Sequence, residues 1–357
     1  MIWLLFIAVS TWICYEILQR RCHLKLREEI GLTGPPTSFF FGNFLYMFDT
    51  IKKKVVEFTP YIYPELERIY GATFGFYYGT NLEIVTTDPA IIKEVFISQF
   101  GNFIARKKIA INMVYPILDG LVQVDHIGSY GAGWKEIRST ISEIFTSSKM
   151  KKMHLMFHDQ LDNMMNVLSE KSKVNDGTVD IYAEMQAISM DLIGKCALGQ
   201  EILCVKYSFP SSNIFVDSQS SVKRSTFSFK NSLQTFKTIR PLPDLIDLML
   251  AENDKRKENG GIPLHHDVIV SNAWAFFIGG YETTASSLTF TAFLLAKYPE
   301  VQQTLYEELS STFSNNEPID YERVMKLPYL HAVFSESLRV CPPIVTFTGR
   351  RCIKYKS

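Results

Sequence analysis

The sequence has no surplus of charge of either sign and few cysteines. Its 37 Lys and Arg residues balance 37 Asp and Glu residues. Because a nucleic-acid-binding protein usually carries a basic surplus on its binding face, this balance argues against nucleic acid as a partner. The six cysteines form no Cys-x-x-Cys pair, and no Asn-x-Ser/Thr acceptor occurs. These absences argue against a secreted disulfide scaffold and fit a domain that faces the cytosol.

The longest apolar run lies at the amino terminus. Residues 2–18 read IWLLFIAVSTWICYEIL, and Arg20 and Arg21 follow directly. At 1.5 Å per helical residue this run covers about 26 Å, enough for a thin bilayer. The basic residues behind it predict that the rest of the chain stays in the cytosol. The alternative is a cleaved signal peptide, but the sequence has neither a basic start nor a small-residue cleavage site.

The chain therefore divides into three predicted parts. Residues 1–19 are predicted to form one transmembrane helix, and residues 20–36 a basic, proline-rich linker that ends in Gly34-Pro35-Pro36. Residues 37–357 form the main domain.

The main domain is predicted to be mainly α-helical with a small β-region. Residues 72–88 are rich in β-branched and aromatic residues on both sides of a Gly79-Thr80-Asn81 turn, which predicts a hairpin. Asp88-Pro89 then begins a helix, since Asp caps and Pro suits the first turn. Further helices are predicted over residues 133–170, 179–197, 242–258, 266–298, 299–313 and 328–340.

The segment 266–298 is almost uncharged and apolar all round, which predicts a helix buried in the middle of the fold, capped by Asp267. It contains Gly279-Gly280-Tyr281-Glu282-Thr283-Thr284. Two glycines lower helix stability, but they let a ligand approach the backbone, and a carboxylate beside a hydroxyl can pass protons. The alternative is a packing pair of glycines with hydroxyls that bond back to their own helix. The segment alone favours neither.

Two further motifs have helical spacing. Trp134 and Arg138 lie four residues apart, on one helical face. Glu336 and Arg339 share a face of a helix that is preceded by LPYL and followed by Cys-Pro-Pro. Each motif alone is common, and an isolated Glu-x-x-Arg usually marks a surface ion pair.

Together, in this order, the motifs resemble the cytochrome P-450 family of haem-thiolate monooxygenases. The phrases FIGGYETTASSLTF and LPYLHAVFSESLRVCPP are similar to its microsomal, drug- and steroid-metabolising branches. The resemblance implies haem b as cofactor, O2 and a small apolar substrate (xenobiotic, steroid or fatty-acid-like), and NADPH-cytochrome reductase as electron donor. It also implies a location on the cytosolic face of the endoplasmic reticulum membrane.

The resemblance assigns a role to each motif residue. Gly279 and Gly280 line the oxygen groove, Thr283 donates a hydrogen bond to dioxygen, and Glu282 belongs to the proton relay. Glu336 and Arg339 form a buried structural ion pair. Four residues bind the haem propionates: Arg106, Trp134, Arg138 and Arg350.

The sequence departs from the family pattern in two places. The family's axial cysteine lies in a Phe-x-x-Gly-x-Arg-x-Cys-x-Gly loop, and the residues around Cys352 do not match it. We therefore expect residues 1–357 to lack the metal ligand, and we keep open the alternative of a haem-free, non-catalytic remnant or interaction protein. The stretch 199–242 is also short for the two helices expected there, which a deletion or a skipped exon would explain.

Overall fold

The computed structural model describes residues 2–53, 62–106, 119–124, 127–142, 145–154, 157–174, 176–198, 245–261, 263–314, 317–344 and 350–351. Met1–Phe103 and Ile104–Tyr355 form two compact units. The described residues are mainly helical with two small two-stranded sheets, which confirms the predicted mainly α fold with a small β-region. The short 199–242 stretch and Cys352 lie outside the described residues.

The first unit is built around the predicted hairpin. Its strands pair in antiparallel register from Thr73 opposite Thr86 to Tyr78 opposite Asn81. Phe74 and Phe76 lie in a buried cluster with residues of the two preceding helices. The elements are α1 (Ile2–Glu29), α2 (Phe44–Lys52), α3 (Ile62–Tyr70), β1 (Thr73–Tyr78), β2 (Asn81–Thr86) and α4 (Pro89–Lys93). Asp88 caps α4 by accepting a hydrogen bond from the Ala90 amide, as predicted.

The predicted transmembrane helix at residues 1–19 is wrong. Across the described ranges, no helix is long and apolar enough to cross a membrane. A helix needs about 20 mainly apolar residues to span a bilayer. In α1 the apolar run contains Glu16 and meets Arg20 and Arg21 directly. The helix continues through Glu29, across the predicted boundary at residue 19 and into the predicted linker.

Asn43 ties the proline turn to the hairpin. Its side-chain amide donates to the carbonyls of Pro35 at 3.0 Å and Pro36 at 2.8 Å. Its side-chain oxygen accepts a hydrogen bond of 2.5 Å from the Tyr77 amide. Because Asn43 is completely buried, water cannot replace these bonds.

The second unit contains most of the helices and the second sheet. Its elements are β3 (Ala105–Arg106), α5 (Trp134–Ser142), α6 (Ser147–His154), α7 (His158–Val174), α8 (Ile181–Leu198), α9 (Leu245–Glu258), α10 (His266–Lys297), α11 (Pro299–Thr312), α12 (Tyr321–Val324), α13 (Pro328–Val340) and β4 (Arg350–Arg351). The helices predicted from residue 179 onward are confirmed within a few residues. The single helix predicted over 133–170 is instead divided among α5, α6 and α7.

The long helix α10 is the centre of this unit. Residues 267–273 are buried at every position, and Val268 and Ile269 join a core cluster with residues of α5 and α9. The second half differs, because Phe290 and Phe293 are exposed. The prediction of burial on all sides is therefore right for the first two turns only.

The cap of α10 differs from the prediction. His265 is the capping residue, and its Nδ1 accepts a hydrogen bond of 3.2 Å from the Asp267 amide. Asp267 is buried and accepts a hydrogen bond of 2.8 Å from the Tyr130 hydroxyl. Burial raises the pKa of the Asp267 carboxyl. The predicted capping carboxylate therefore ties α10 to the chain before α5.

Replacing Asn43 with Ala should destabilise the first unit. The change leaves the Pro36 carbonyl and the Tyr77 amide without their side-chain partner, whereas the Pro35 carbonyl keeps a hydrogen bond from Arg27. We therefore expect a loss of about 2–4 kcal/mol in the free energy of unfolding. Urea unfolding measures it. The control is Asn102→Ala, which removes an exposed hydrogen bond to Gln99 and should change stability by less than about 0.5 kcal/mol. Equal effects of the two substitutions would contradict this assignment.

Candidate functional site

The two glycines of α10 have different surroundings. A Cβ atom built on Gly280 would lie 2.5 Å from Cδ1 of Ile193, on the neighbouring helix α8. A Cβ atom on Gly279 would meet no atom of the described residues within 4 Å. Gly280 therefore lets α8 pack closely against α10, as the packing interpretation predicts. Gly279 leaves open space beside the helix, as a ligand groove requires.

The helix does not open at the glycine pair. It is continuous from His266 to Lys297, and the Thr283 hydroxyl donates a hydrogen bond to the Gly279 carbonyl. Ser287 donates in the same way to the Thr283 carbonyl at 2.7 Å. These bonds back to the helix satisfy the hydroxyls without a ligand. Thr283 nevertheless lies directly beside the open space at Gly279.

Glu282 is held by the neighbouring helix α8. One carboxylate oxygen accepts a hydrogen bond from the Tyr182 hydroxyl. The other accepts one of 3.0 Å from the Gln186 side-chain amide. Neither Tyr182 nor Gln186 was predicted from the sequence to be a functional residue. Their four-residue spacing on one face of a largely apolar helix is the signal that could have found them.

The carboxylate changes the chemistry of the phenol that contacts it. Burial, the hydrogen bond to Glu282 and the charge of that carboxylate together raise the pKa of Tyr182 to about 12. The Tyr182 hydroxyl therefore remains protonated at neutral pH and keeps donating to Glu282. Because the pKa of Tyr182 is raised in the folded state, its hydrogen bond to Glu282 is lost only as the pH rises through about 12.

Two of the predicted propionate-binding arginines face each other in a sheet. Arg106 on β3 is the register partner of Arg350 on β4. Both positions carry arginine, a residue type whose guanidinium suits carboxylates. Burial lowers the pKa of the half-buried Arg106, and a bound anion would offset that cost.

The second predicted propionate pair lies on α5. Trp134 begins this helix and packs against the core cluster that contains Ile137 and Val268. Arg138 is exposed. The i,i+4 spacing thus gives a half-buried indole and an accessible guanidinium on one face.

Glu336 and Arg339 form an ion pair on α13, but among the described residues it is exposed and not buried as predicted. Both guanidinium–carboxylate contacts are short, at 2.7 and 2.6 Å. The side chains are 59% and 71% exposed, so the described structure holds this pair at the surface. The helix that carries it begins where the Glu308 carboxylate accepts hydrogen bonds of 2.9 Å from the amides of Tyr329 and Leu330. A carboxylate suits these otherwise unpaired amides.

The described residues fit two sides of the haem that the resemblance implies. The open space at Gly279 suits the dioxygen side, and the half-buried Arg106 on β3 suits a propionate. The axial thiolate has no such match among the described cysteines, because none of Cys14, Cys22, Cys196 and Cys341 lies in a segment that matches the complete axial-ligand motif.

Comparison with known proteins points to one family. The sequence profile described as Cytochrome P450 matches residues 33–243 and 223–355. The chain is 28% identical to cytochrome P450 3A56 of Fundulus heteroclitus, over 88% of this chain and 68% of that protein. It is also 28% identical to cytochrome P450 3A28 of Bos taurus, over 89% of this chain and 66% of that protein.

The chain spans about two thirds of the length of its curated relatives, with coverage of those proteins between 65% and 72%. The family profile, by contrast, matches nearly all of this chain outside its amino-terminal helix. The chain therefore belongs to the cytochrome P450 family.

Proposed function

We propose that the protein is a haem-dependent monooxygenase that uses O2 to oxygenate small apolar substrates such as xenobiotics, steroids or fatty-acid-like molecules. Family membership implies the haem cofactor. The observation that carries the proposal is the turn of α10 where Gly279 leaves open space beside Thr283 and Glu282. NADPH-cytochrome reductase is the proposed electron donor. The proposed location is the cytosolic face of the endoplasmic reticulum, without a transmembrane helix at residues 1–19.

Haem would supply the iron that activates dioxygen. Arg106, Arg138 and Arg350, with Trp134, would hold its propionates, because guanidinium groups form paired, charge-assisted hydrogen bonds to carboxylates. Gly279 keeps the approach to the α10 backbone open.

Thr283 and Glu282 would handle protons at that opening. A hydroxyl has one donor and two acceptor lone pairs. While Thr283 donates to the Gly279 carbonyl, its oxygen can still accept a hydrogen bond from water. Rotation about its side-chain bond would aim the donor into the open space. Glu282 is the nearest carboxylate along the helix and would replace the proton that Thr283 gives up.

A second candidate function is that this polypeptide acts as a haem-free, non-catalytic remnant or interaction protein. The observation that favours it is the mismatch of the residues around Cys352 to the axial-ligand motif.

The absorption spectrum of the reduced, carbon-monoxide-bound protein separates the two candidates. We expect residues 1–357, expressed with ample haem, to give no far red-shifted Soret band, since the axial-ligand motif is not among them. We expect the transcript beyond the codon for Ser357 to encode that motif, and its product to give the band. Substitution of the motif cysteine by Ser should abolish it. A longer product that binds no haem, or a transcript without the motif, contradicts the monooxygenase and supports the second candidate.

The two glycines of α10 should respond oppositely to alanine. Each substitution gains about 1 kcal/mol of helix propensity, but only Gly280→Ala drives a methyl group into Ile193. Overpacking costs about 1–3 kcal/mol. We therefore expect Gly279→Ala to be more stable than Gly280→Ala by that amount in chemical unfolding.

The matched glycine pair also tests function. In a haem-loaded product, Gly279→Ala should weaken carbon monoxide or dioxygen binding although the fold is more stable. Unchanged ligand binding in Gly279→Ala would show that the open space is not part of the dioxygen site.

A further inference from the structure

The contact between Glu282 on α10 and two side chains of α8 places polar groups in the packed interface of these helices. Glu282 lies in the interface between α8 and α10, and apolar residues of both helices there form a core cluster that includes Ile188, Met190, Phe277 and Tyr281. Two apolar side chains would pack these helices without removing a charge from water, whereas a half-buried carboxylate needs donors to offset its desolvation. The polar contact is therefore a poor choice for stability alone.

Both carboxylate oxygens of Glu282 are fixed, one by each donor. The Tyr182 hydroxyl reaches one oxygen and the Gln186 amide reaches the other at 3.0 Å. Two donors on two oxygens define the orientation of the carboxylate plane, which a single bond would leave free to rotate. Each oxygen keeps a further lone pair that can accept a proton.

Two further residues of α10, Ser286 and Gly279, lie near Glu282 along the helix. Ser286 lies one helical turn after Glu282 on α10. Gly279 lies three residues before Glu282, on the adjacent helical surface. Tyr182 lies in the first turn of α8, where its amide donates 3.1 Å to the capping carboxylate of Asp180. The phenol is thus held at both its backbone and its hydroxyl.

From this geometry we infer that Tyr182 and Gln186 are positioning residues, which hold the Glu282 carboxylate beside the opening at Gly279 and Thr283 for proton transfer. This inference rests on the proposed monooxygenase function for the role of Glu282, but the hydrogen-bonded arrangement itself does not. Tyr182 and Gln186 touch neither substrate nor haem in this assignment and act only through Glu282.

The first arm of the test needs no haem. Tyrosine labelled with 13C at Cζ is incorporated into residues 1–357, and Tyr182→Phe assigns the Tyr182 resonance. We expect this resonance to titrate near pH 12, and Glu282→Gln to shift its titration toward the ordinary tyrosine range. A Tyr182 titration that ignores Glu282→Gln would overturn the inference, whatever the protein catalyses.

The second arm uses the haem-loaded product of the longer transcript. We expect Tyr182→Phe and Gln186→Leu each to lower kcat about tenfold with KM nearly unchanged, and to enlarge the solvent deuterium isotope effect on kcat. A structural role alone would lower stability without changing the isotope effect. The matched control is Tyr306→Phe, the same chemical change at a side chain that is 64% exposed on α11.

The outcomes separate the inference from the proposed function. An active monooxygenase whose kcat and isotope effect are unchanged by Tyr182→Phe overturns the positioning role alone. A longer product without haem overturns the proposed function and the positioning role with it. The carboxylate-dependent Tyr182 titration would then remain as a structural finding.

Discussion

The packing of α8 against α10 is the contact on which the rest of the second unit depends. Gly280 has no side chain, so Ile193 can approach the α10 backbone more closely than a Cβ atom would allow. That approach brings the apolar residues of both helices into one cluster and brings Tyr182 within hydrogen-bonding reach of Glu282. A larger residue at 280 would move α8 outward and weaken both contacts together. Gly280 thus determines the position of the Tyr182–Glu282 contact as well as the packing of the core.

The same contact explains why the glycine pair is not symmetric. α8 covers the side of α10 that carries Gly280, and the side that carries Gly279 stays open. The two interpretations of the pair, packing and ligand approach, therefore apply to different glycines. Glu282 and Thr283, which follow the glycines, lie next to the open position at Gly279. Residues of α8 bind the Glu282 carboxylate. The proposed chemistry depends on this division between a packed side and an open side of one helix.

Much of this arrangement could be predicted from the sequence, because helical periodicity and caps are local. The hairpin, α8 to α11 and α13 lie close to their predicted bounds, and Pro299 ends α10 as its ring requires. The sequence could not predict which glycine is packed, since that depends on Ile193, some ninety residues away. Nor did it predict that Asp267 is buried against Tyr130. The transmembrane helix was wrong because the apolar run over residues 2–18 was judged long enough, although it contains Glu16 and falls short of the about 20 apolar residues that a span needs.

The most direct test of this account is a nuclear Overhauser measurement on protein with labelled isoleucine δ1-methyl groups and labelled glycines. A strong cross-peak is expected between the Ile193 methyl group and the Hα protons of Gly280, because a Cβ atom on Gly280 would lie 2.5 Å from that methyl carbon. The cross-peak from Ile193 to Gly279 should be much weaker. A cross-peak to Gly279 as strong as that to Gly280, or none to Gly280, would contradict the claim that α8 covers one side of this turn and leaves the other open.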